Sequence, residues 1–504
     1  MLMGAVKSGV FMGTAFGGQS GFHGHSVEEP NMSRNIWNPL AKLVRVNPGN
    51  DSHPRRSEHS TDDDPNPATR FGGNARPADD ATTLRLPPGQ LDYENQLDAR
   101  EKADHLYLQK QAAILGPIFK GIAWDEVHVC LVGLALSRRF LSEHEPDLLA
   151  LGPDLSLLVP NGFLPGMNTD DHRDYRRCLV RAVRAESTPS DRASLESFIT
   201  EGLRNYSATA VEHGDVTSAY SAAMSTLATG LLIQVFFGAV PGSRSFTRLV
   251  EGFGRLGPHG LVWNPKQRQA EAFSELSGYL HDDLLSIDPG SPIAPDGSAE
   301  SSTPTCLLFE LHHKGELDAT MLGNLIYMVE MGRSDIQNLF RWITTYAARN
   351  PDALAAIASE TVSVAGGTSP SESFILEVLR TEQAERLERR TVNDIMFEGY
   401  FIPAETNVRL CLWEPHHNEE MFPEPHRFDP TRFLASTPPL EVFAPFGLDQ
   451  HQCPFGGLTI RIGTAFIRTI AKHFKLTLLR DGPSVRGAYH WEPPRHLTVH
   501  LEKR

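Results

Sequence analysis

The sequence predicts a mainly α protein with small β-sheets, and three observations support that class. Residues 190–290 follow a helical period, and a run without proline extends over residues 317–350. A further helical run, residues 458–474, comes near the C-terminal end. An apolar, β-rich run at residues 127–132 follows the turn at Gly116-Pro117.

Composition limits the function classes. The chain has 504 residues, 40% of them hydrophobic, which is enough to bury a large core. Its net charge of −15 argues against a nucleic-acid partner, because phosphate binding requires a basic face. The five cysteines lack CxxC spacing and any zinc pattern, which indicates free thiols in a reducing compartment. They are Cys130, Cys178, Cys306, Cys411 and Cys453.

The N-terminal part differs in composition from the rest. Residues 1–95 are polar and rich in Pro, Gly, Asp and Ser, which predicts a largely disordered extension before a single domain at 96–504. Glycines and a lysine interrupt residues 1–18, whereas a spanning helix needs roughly 20 apolar residues. We therefore expect no transmembrane anchor and a soluble, cytoplasmic protein, with peripheral membrane association as the alternative.

One cysteine stands at a special place. Residues 445–454 read Pro-Phe-Gly-Leu-Asp-Gln-His-Gln-Cys-Pro and lead into the C-terminal helical run. Such a loop brings the thiol of Cys453 to a helix start, where backbone N–H groups and the helix dipole favour negative charge. A thiolate in that position is a candidate axial ligand for haem iron. The alternative is a buried structural cysteine.

This loop resembles the haem loop of the cytochrome P450 family, Phe-x-x-Gly-x-Arg/His-x-Cys-x-Gly. Phe446 lies seven residues before Cys453 and His451 lies two before it, as in that pattern. Asp449 and Phe455 stand where the pattern has its two glycines. The resemblance implies a cytochrome P450 fold that binds haem b, with Cys453 on the iron and with Phe446 and His451 at the cofactor.

A basic segment precedes the other motifs. Residues 172–177, His-Arg-Asp-Tyr-Arg-Arg, place His172 and Arg176 four residues apart on one helix face. The segment resembles the family's His/Trp-Arg-x-x-Arg-Arg pattern, which contacts the haem propionates, and these donors suit carboxylates. A solvated basic face is the alternative. Either Arg389 or Arg390 is also expected to reach a propionate, and we favour Arg390.

The long helical run carries a second departure from the family. Counted back from Trp342, the usual Ala/Gly-Gly-x-Asp/Glu-Thr becomes Met-Gly-Arg-Ser-Asp at residues 331–335. Gly332 is kept and leaves room for an iron-bound ligand. Ser334 stands in the position of the acid and Asp335 in that of the threonine, so a proton-delivering pair remains possible. Capping of a local kink and plain solvent exposure are the alternatives.

Two further motifs lie between these. Glu377 and Arg380 share a helix face, and Pro-His-Arg-Phe at residues 425–428 resembles the family's Pro-x-Arg-Phe. We expect Arg427 to complete a buried triad with them, which specifies conformation rather than adding stability. The pair His416-His417 is expected on the surface, without a metal.

The resemblance implies a monooxygenase that inserts one oxygen atom of O2 into a small apolar or natural-product-like substrate. No flavin or nicotinamide fingerprint is visible, so electrons would come from a separate ferredoxin or flavoprotein reductase. The altered pair Ser334 and Asp335 also allows an enzyme that rearranges, dehydrates or uses peroxide without a reductase. Asp449 and Phe455 allow a haem-binding protein with little catalysis.

Overall fold

A computed structural model of the chain describes most of the predicted domain. The described residues are 84–92, 96–123, 125–151, 158–159, 162–167, 169–184, 192–213, 216–256, 266–284, 306–360, 368–383, 386–439, 441–486, 491–494 and 496–504. The predicted extension 1–95 therefore lies outside the described residues, except for 84–92.

Helices make up most of the described chain. In order they are α1 Leu97–Ala103, α2 Tyr107–Leu115, α3 Leu134–His144, α4 Thr169–Arg184, α5 Arg192–His213, α6 Val216–Phe237, α7 Arg244–Leu256, α8 Lys266–Gly278, α9 Leu307–His313, α10 Ala319–Arg349, α11 Pro351–Ala358, α12 Pro370–Val378, α13 Trp413–His416 and α14 Gly456–His473. Short 3-10 helices cover Glu145–Asp147, Leu164–Gly166 and Asp449–His451, and π-type turns cover Tyr279–Leu284 and Leu379–Gln383. The prediction of a mainly α fold is confirmed.

The strands form one five-stranded sheet and three small pairs. The larger sheet has the order β1-β2-β7-β4-β3, in which only β2 and β7 run parallel. The pairs are β5 with β6, β8 with β11 and β9 with β10. The strands are β1 Ile118–Ala123, β2 Glu126–Val132, β3 Leu148–Ala150, β4 Arg386–Thr391, β5 Ile395–Phe397, β6 Tyr400–Ile402, β7 Asn407–Cys411, β8 Phe474–Arg480, β9 Val485–Arg486, β10 Trp491–Glu492 and β11 Thr498–Lys503.

The long helix α10 runs through the main apolar core. Its N-terminus is capped by Asp318, whose carboxylate accepts from the Met321 N–H at 2.6 Å. It ends at Asn350 because Pro351 cannot continue the hydrogen-bond ladder and instead starts α11. The ring of Phe340 stacks on Phe466 of α14, with centroids 4.2 Å apart. The two helices that carry the candidate site therefore pack directly on each other.

Helix α6 is strongly apolar. Within the described part of the chain, its segment Tyr220–Phe237 is the one candidate long and apolar enough to cross a membrane, and 67% of it is buried inside the protein. Gln337 of α10 donates to the carbonyl of Ser221 at 3.2 Å, which ties the two helices together. These contacts are those of a core helix.

Candidate haem site

The Cys453 loop is a closed turn packed on the helix that follows it. The Cys453 N–H donates to the Phe446 carbonyl at 2.8 Å, and Gly447 adopts a φ of 90° that a side chain would disfavour. A Cβ on Gly456 would lie 2.8 Å from the Phe446 ring, so the ring covers the first residue of α14. Phe455 has a φ of −100°, so the backbone there does not require glycine.

The thiol of Cys453 borders an internal space. Its side chain is exposed to a molecule the size of water. The protein atoms around it nevertheless desolvate the thiol and raise its pKa. Both observations are expected for a side chain that lines an enclosed space. The Phe455 N–H and Arg176 oppose this rise in the pKa, while Asp335 adds to it. A metal cation would deprotonate such a thiol on binding.

Asp335 reaches the same space from α10. It is exposed, whereas Ser334 before it is only 7% exposed and the neighbouring Ile336 is also buried. Its negative charge helps to raise the pKa of the Cys453 thiol, so the two side chains are near one another. A Cβ on Gly332 would meet only Leu232 of α6 at 3.5 Å. The structure thus brings Asp335 towards Cys453, while Ser334 lies within the core and Gly332 contacts α6.

Four basic side chains meet beside this space. The rings of His172 and His451 lie 4.4 Å apart between their centroids, and His172 is 2% exposed. Burial, followed by the charges of Arg176 and Arg389, lowers the pKa of His172 to about 4. Burial, followed by the charge of Arg389, lowers the pKa of His451 to about 3. Two imidazoles kept neutral mainly by burial, beside two guanidinium groups, form a site that favours anions.

Arg389, and not the favoured Arg390, belongs to this cluster. The two residues follow each other on β4 and point to opposite faces of the sheet. Arg390 donates to Glu126 of β2 at 3.4 Å and to Asn407 of β7 at 3.3 Å, so it is held elsewhere by polar partners. Arg389 is 6% exposed and its charge acts on both histidines.

The predicted buried triad exists with a different third member. Arg380 donates to both carboxylate oxygens of Glu377, at 2.8 and 2.9 Å, and both residues are fully buried. Arg432 approaches the same carboxylate at 3.2 Å. Arg427 has a 60% exposed side chain that pairs with Glu424 and Asp429. The prediction of Arg427 as the third member is therefore wrong: it is Arg432.

His416 connects the triad to the Cys453 loop. Its carbonyl accepts from Arg380 at 2.7 Å, and its Nε2 accepts from the Ala444 N–H at 2.9 Å. The residue is fully buried, and this burial lowers its pKa to about 3, so the ring is a neutral acceptor. The prediction that His416 and His417 lie on the surface is wrong, since His417 is 5% exposed.

This arrangement fits haem b. The donor set is one thiol at an internal space, with a buried basic cluster suited to two propionates, His172, His451, Arg176 and Arg389. The unpartnered Nδ1 of His172 is a buried donor or acceptor that a carboxylate could satisfy. Within the described residues no group of three His, Cys, Asp or Glu could hold a metal ion, so iron would depend on the porphyrin.

Solved structures share this architecture. Retinoic-acid-bound cyanobacterial CYP120A1 superposes with a TM-score of 0.63 at 19% identity, covering 84% of this chain and all of that one. A zebra fish cytochrome P450 with abiraterone gives a TM-score of 0.60 at 18% identity, covering 79% and 99%. The fold is the cytochrome P450 fold.

Sequence comparisons agree. The family model "Cytochrome P450" matches residues 341–486. Abscisic acid 8'-hydroxylase 1 of Arabidopsis thaliana is 26% identical over 301 residues, 56% of this chain and 62% of that protein, which is less than two thirds of its length. Putative cytochrome P450 138 of Mycobacterium tuberculosis is 24% identical over 363 residues, 68% of this chain and 78% of that protein. The chain is thus similar to proteins of the cytochrome P450 family, which are haem-thiolate oxidoreductases with haem b as cofactor.

Proposed function

We propose that the protein is a monooxygenase that inserts one oxygen atom of O2 into a small organic substrate, with electrons from a separate ferredoxin or flavoprotein reductase. The observation that carries this is the exposed Cys453 thiol in the loop before α14, whose pKa the charge of Asp335 helps to raise. Sequence similarity to a named hydroxylase and a named monooxygenase supports this proposal. We expect the protein to act in the cytoplasm, without a membrane anchor.

Each side chain at the site has a proposed task. Haem b, when bound through a thiolate, supplies O–O bond cleavage and oxygen transfer to carbon. Cys453 would hold the haem iron through its thiolate, which the Phe455 N–H stabilises. Phe446 packs on Gly456 and would shield the loop from water.

The basic cluster would hold the propionates. Burial keeps His172 and His451 neutral, so each can donate or accept one hydrogen bond, while Arg176 and Arg389 supply positive charge. Arg389 replaces Arg390 in this proposal because Arg390 has other partners.

Asp335 would hold and release a proton at its carboxylate oxygens, since it is the accessible member of the pair with Ser334. Ser334 is buried beside it and would pass protons from the α10 side of the space.

A reduced, CO-bound absorption spectrum tests the haem-thiolate centre. Wild type and a Cys178→Ser control should give the strongly red-shifted Soret band, and Cys453→Ser should not. Incubation of the holoenzyme with a reductase system and labelled O2 should then place labelled oxygen in a product. A wild-type spectrum without that band would overturn the proposal.

Peroxide use is the second candidate, and Asp335 itself favours it. A carboxylate can act as both acid and base towards peroxide, whereas the family's threonine has only a hydroxyl. Turnover with hydrogen peroxide but without reductase would select this reaction. Turnover that requires both reductase and O2 would exclude it.

A further inference from the structure

The first turns of α10 hold the segment that leads into α4. Asn324 is 2% exposed, and its Oδ1 accepts from the Leu164 N–H at 2.6 Å. Its Nδ2 donates to the carbonyl of Thr320, one turn earlier in α10, at 2.9 Å and lies 3.5 Å from the Gly162 carbonyl oxygen. Leu164 begins a short 3-10 helix whose N-cap residue supplies no side-chain bond. Asn324 therefore gives a partner to a buried backbone N–H at a helix start.

Packing on both sides of Asn324 joins the same two parts of the chain. The ring of Phe163 lies 5.1 Å from the ring of Tyr327 in α10, measured between centroids. A Cβ on Gly323 would lie 3.1 Å from the side chain of Val159, so the backbone of α10 closely approaches this segment. Phe163 and Val159 are 7% and 0% exposed. The hydrogen bonds of Asn324 thus lie within a buried contact, where they are stronger than at a surface.

The segment held in this way leads to the basic cluster. His172 lies in the first turn of α4, eight residues after Leu164. Its ring is buried and lies 4.4 Å from that of His451, so a small shift of α4 would change the geometry of the cluster. Tyr175, three residues later, donates to the capping carboxylate of Asp318 at 2.5 Å. Helix α10 therefore holds α4 both before and after His172.

We propose that Asn324 is a positioning residue of the cofactor site: its amide fixes the segment before α4 and so holds His172 and Arg176 where the haem propionates would bind. This inference rests on the basic cluster of the proposed function and goes beyond it, since Asn324 is not a member of that cluster. An amide suits this task because it accepts on one side and donates on the other. One side chain thus bonds both the segment and its own helix.

Transfer of haem from the holoenzyme to an excess of a scavenger protein tests the proposal. Asn324→Leu fills a similar space but bonds neither group, and it should release haem about tenfold faster than wild type. Gln337→Leu is the matched control, because Gln337 is another amide of α10 and donates to the Ser221 carbonyl at 3.2 Å. The control should lower stability towards urea to a similar extent and leave haem release at the wild-type rate.

Asn324→Asp is the conservative variant. It keeps an oxygen that accepts from the Leu164 N–H, so its rate of haem release should lie between those of wild type and Asn324→Leu. It also supplies the comparison with Gln337→Leu if Asn324→Leu does not fold. Haem release at the wild-type rate from both Asn324 variants would overturn the inference.

A combined substitution separates positioning from a general loss of stability. In a protein that already carries His172→Ala and Arg176→Ala, α4 supplies no side chain of the cluster for Asn324 to position. Asn324→Leu should then change haem release by less than about twofold, because its effect depends on the two residues already removed. An effect of the same size in both backgrounds, or equally fast release from Gln337→Leu, would overturn the inference.

The reduced, CO-bound spectrum of each variant distinguishes this inference from the proposed function. A wild type without the strongly red-shifted Soret band means that the proposed function has failed, and this inference with it. A normal band in the wild type, with faster haem release from the His172→Ala, Arg176→Ala protein but not from Asn324→Leu, means that only the inference about Asn324 has failed.

Discussion

The two sides of the candidate site are built differently. On the side of Cys453, buried charges and polar groups are bonded to one another: Glu377 to Arg380 and Arg432, and Arg380 through His416 to the loop backbone. On the side of α10, one carboxylate, that of Asp335, stands accessible among buried neighbours. The first arrangement maintains a conformation, whereas the second exposes one carboxylate.

This difference follows from the cost of burying charge. A carboxylate taken from water without partners costs several kcal/mol, so Glu377 is buried only because two guanidinium groups bond it. Asp335 is exposed, so its charge does not carry the free-energy cost of burial. Both sides depart from the family pattern, the Cys453 loop at Asp449 and Phe455 and α10 at Ser334 and Asp335. Four predictions test this contrast, from the largest expected effect to the smallest.

Arg432→Ala should destabilise the protein by about 3–5 kcal/mol, because it leaves a buried carboxylate short of one partner. Arg427→Ala removes an exposed guanidinium of the same type and should change stability by less than about 1 kcal/mol. Urea unfolding of both variants measures this. Equal losses in the two would mean that the buried triad is not the framework described.

Glu382 is a buried carboxyl on the Cys453 side of the site, and it should make the stability of the protein depend on pH. Burial raises its pKa to about 7, against the opposing Tyr346 hydrogen bond and the charges of Arg349 and Arg380. The folded protein therefore binds this proton more tightly than the unfolded chain, whose value is 4.5. The stability is complete below pH 4.5 and falls as the pH rises to about 7.

Glu382→Gln should consequently be more stable than wild type at pH 8, by up to about 3 kcal/mol, and similar to it near pH 4.5. Thermal unfolding across this pH range provides the measurement, with Glu143→Gln as the exposed control. A variant that is less stable than wild type at pH 8 would show that the ionised carboxylate is well solvated or paired.

Arg389→Ala should release haem about 10- to 100-fold faster than wild type, the loss expected for one buried charge-assisted hydrogen bond. Arg390→Ala should release it at nearly the wild-type rate, because Arg390 bonds Glu126 and Asn407. Transfer of haem to an excess of a scavenger protein measures both rates. If Arg390→Ala released haem faster than Arg389→Ala, Arg390 rather than Arg389 would be the arginine that binds a propionate.

The smallest expected changes in stability come from two glycine substitutions, one on each side of the candidate site. Gly332→Ala on α10 should stabilise the protein by about 0.5–1 kcal/mol, since alanine favours helix and its Cβ meets Leu232 at an ordinary 3.5 Å. Gly456→Ala should destabilise it, because its Cβ would lie 2.8 Å from the Phe446 ring. Thermal unfolding compares the two, and a destabilised Gly332→Ala would indicate that the space near Asp335 needs glycine.

Much of the fold was predictable because its signals are local. The run at residues 317–350 became α10, Ala319–Arg349, since its apolar period, an aspartate cap and a following proline all lie close in sequence. Cys453 was predictable as the loop residue before a helix. The predicted roles of Ser334, Asp335 and Gly332 stay predictions, as do those of the residues expected to bind the cofactor.

The sequence-based predictions were wrong where two arginines matched the same pattern equally well. The phrase Pro-x-Arg-Phe occurs twice, at residues 425–428 and 430–433, and only the packing against α12 shows that Arg432 of the second meets Glu377. Likewise Arg389 and Arg390 have the same chemistry. The alternation of strand faces sends one to the basic cluster and the other to Glu126.

The sequence by itself thus determined the helices, the thiol-bearing loop and the presence of a Glu–Arg pair, because each depends on residues within a few positions of one another. The tertiary structure alone decided which arginine completes the triad, that His416 is buried as a link, and that Asp335 rather than Ser334 is accessible. These outcomes depend on which face of an element meets which distant neighbour. Such long-range contacts determine which charges are buried and which are paired, and the local sequence does not predict them.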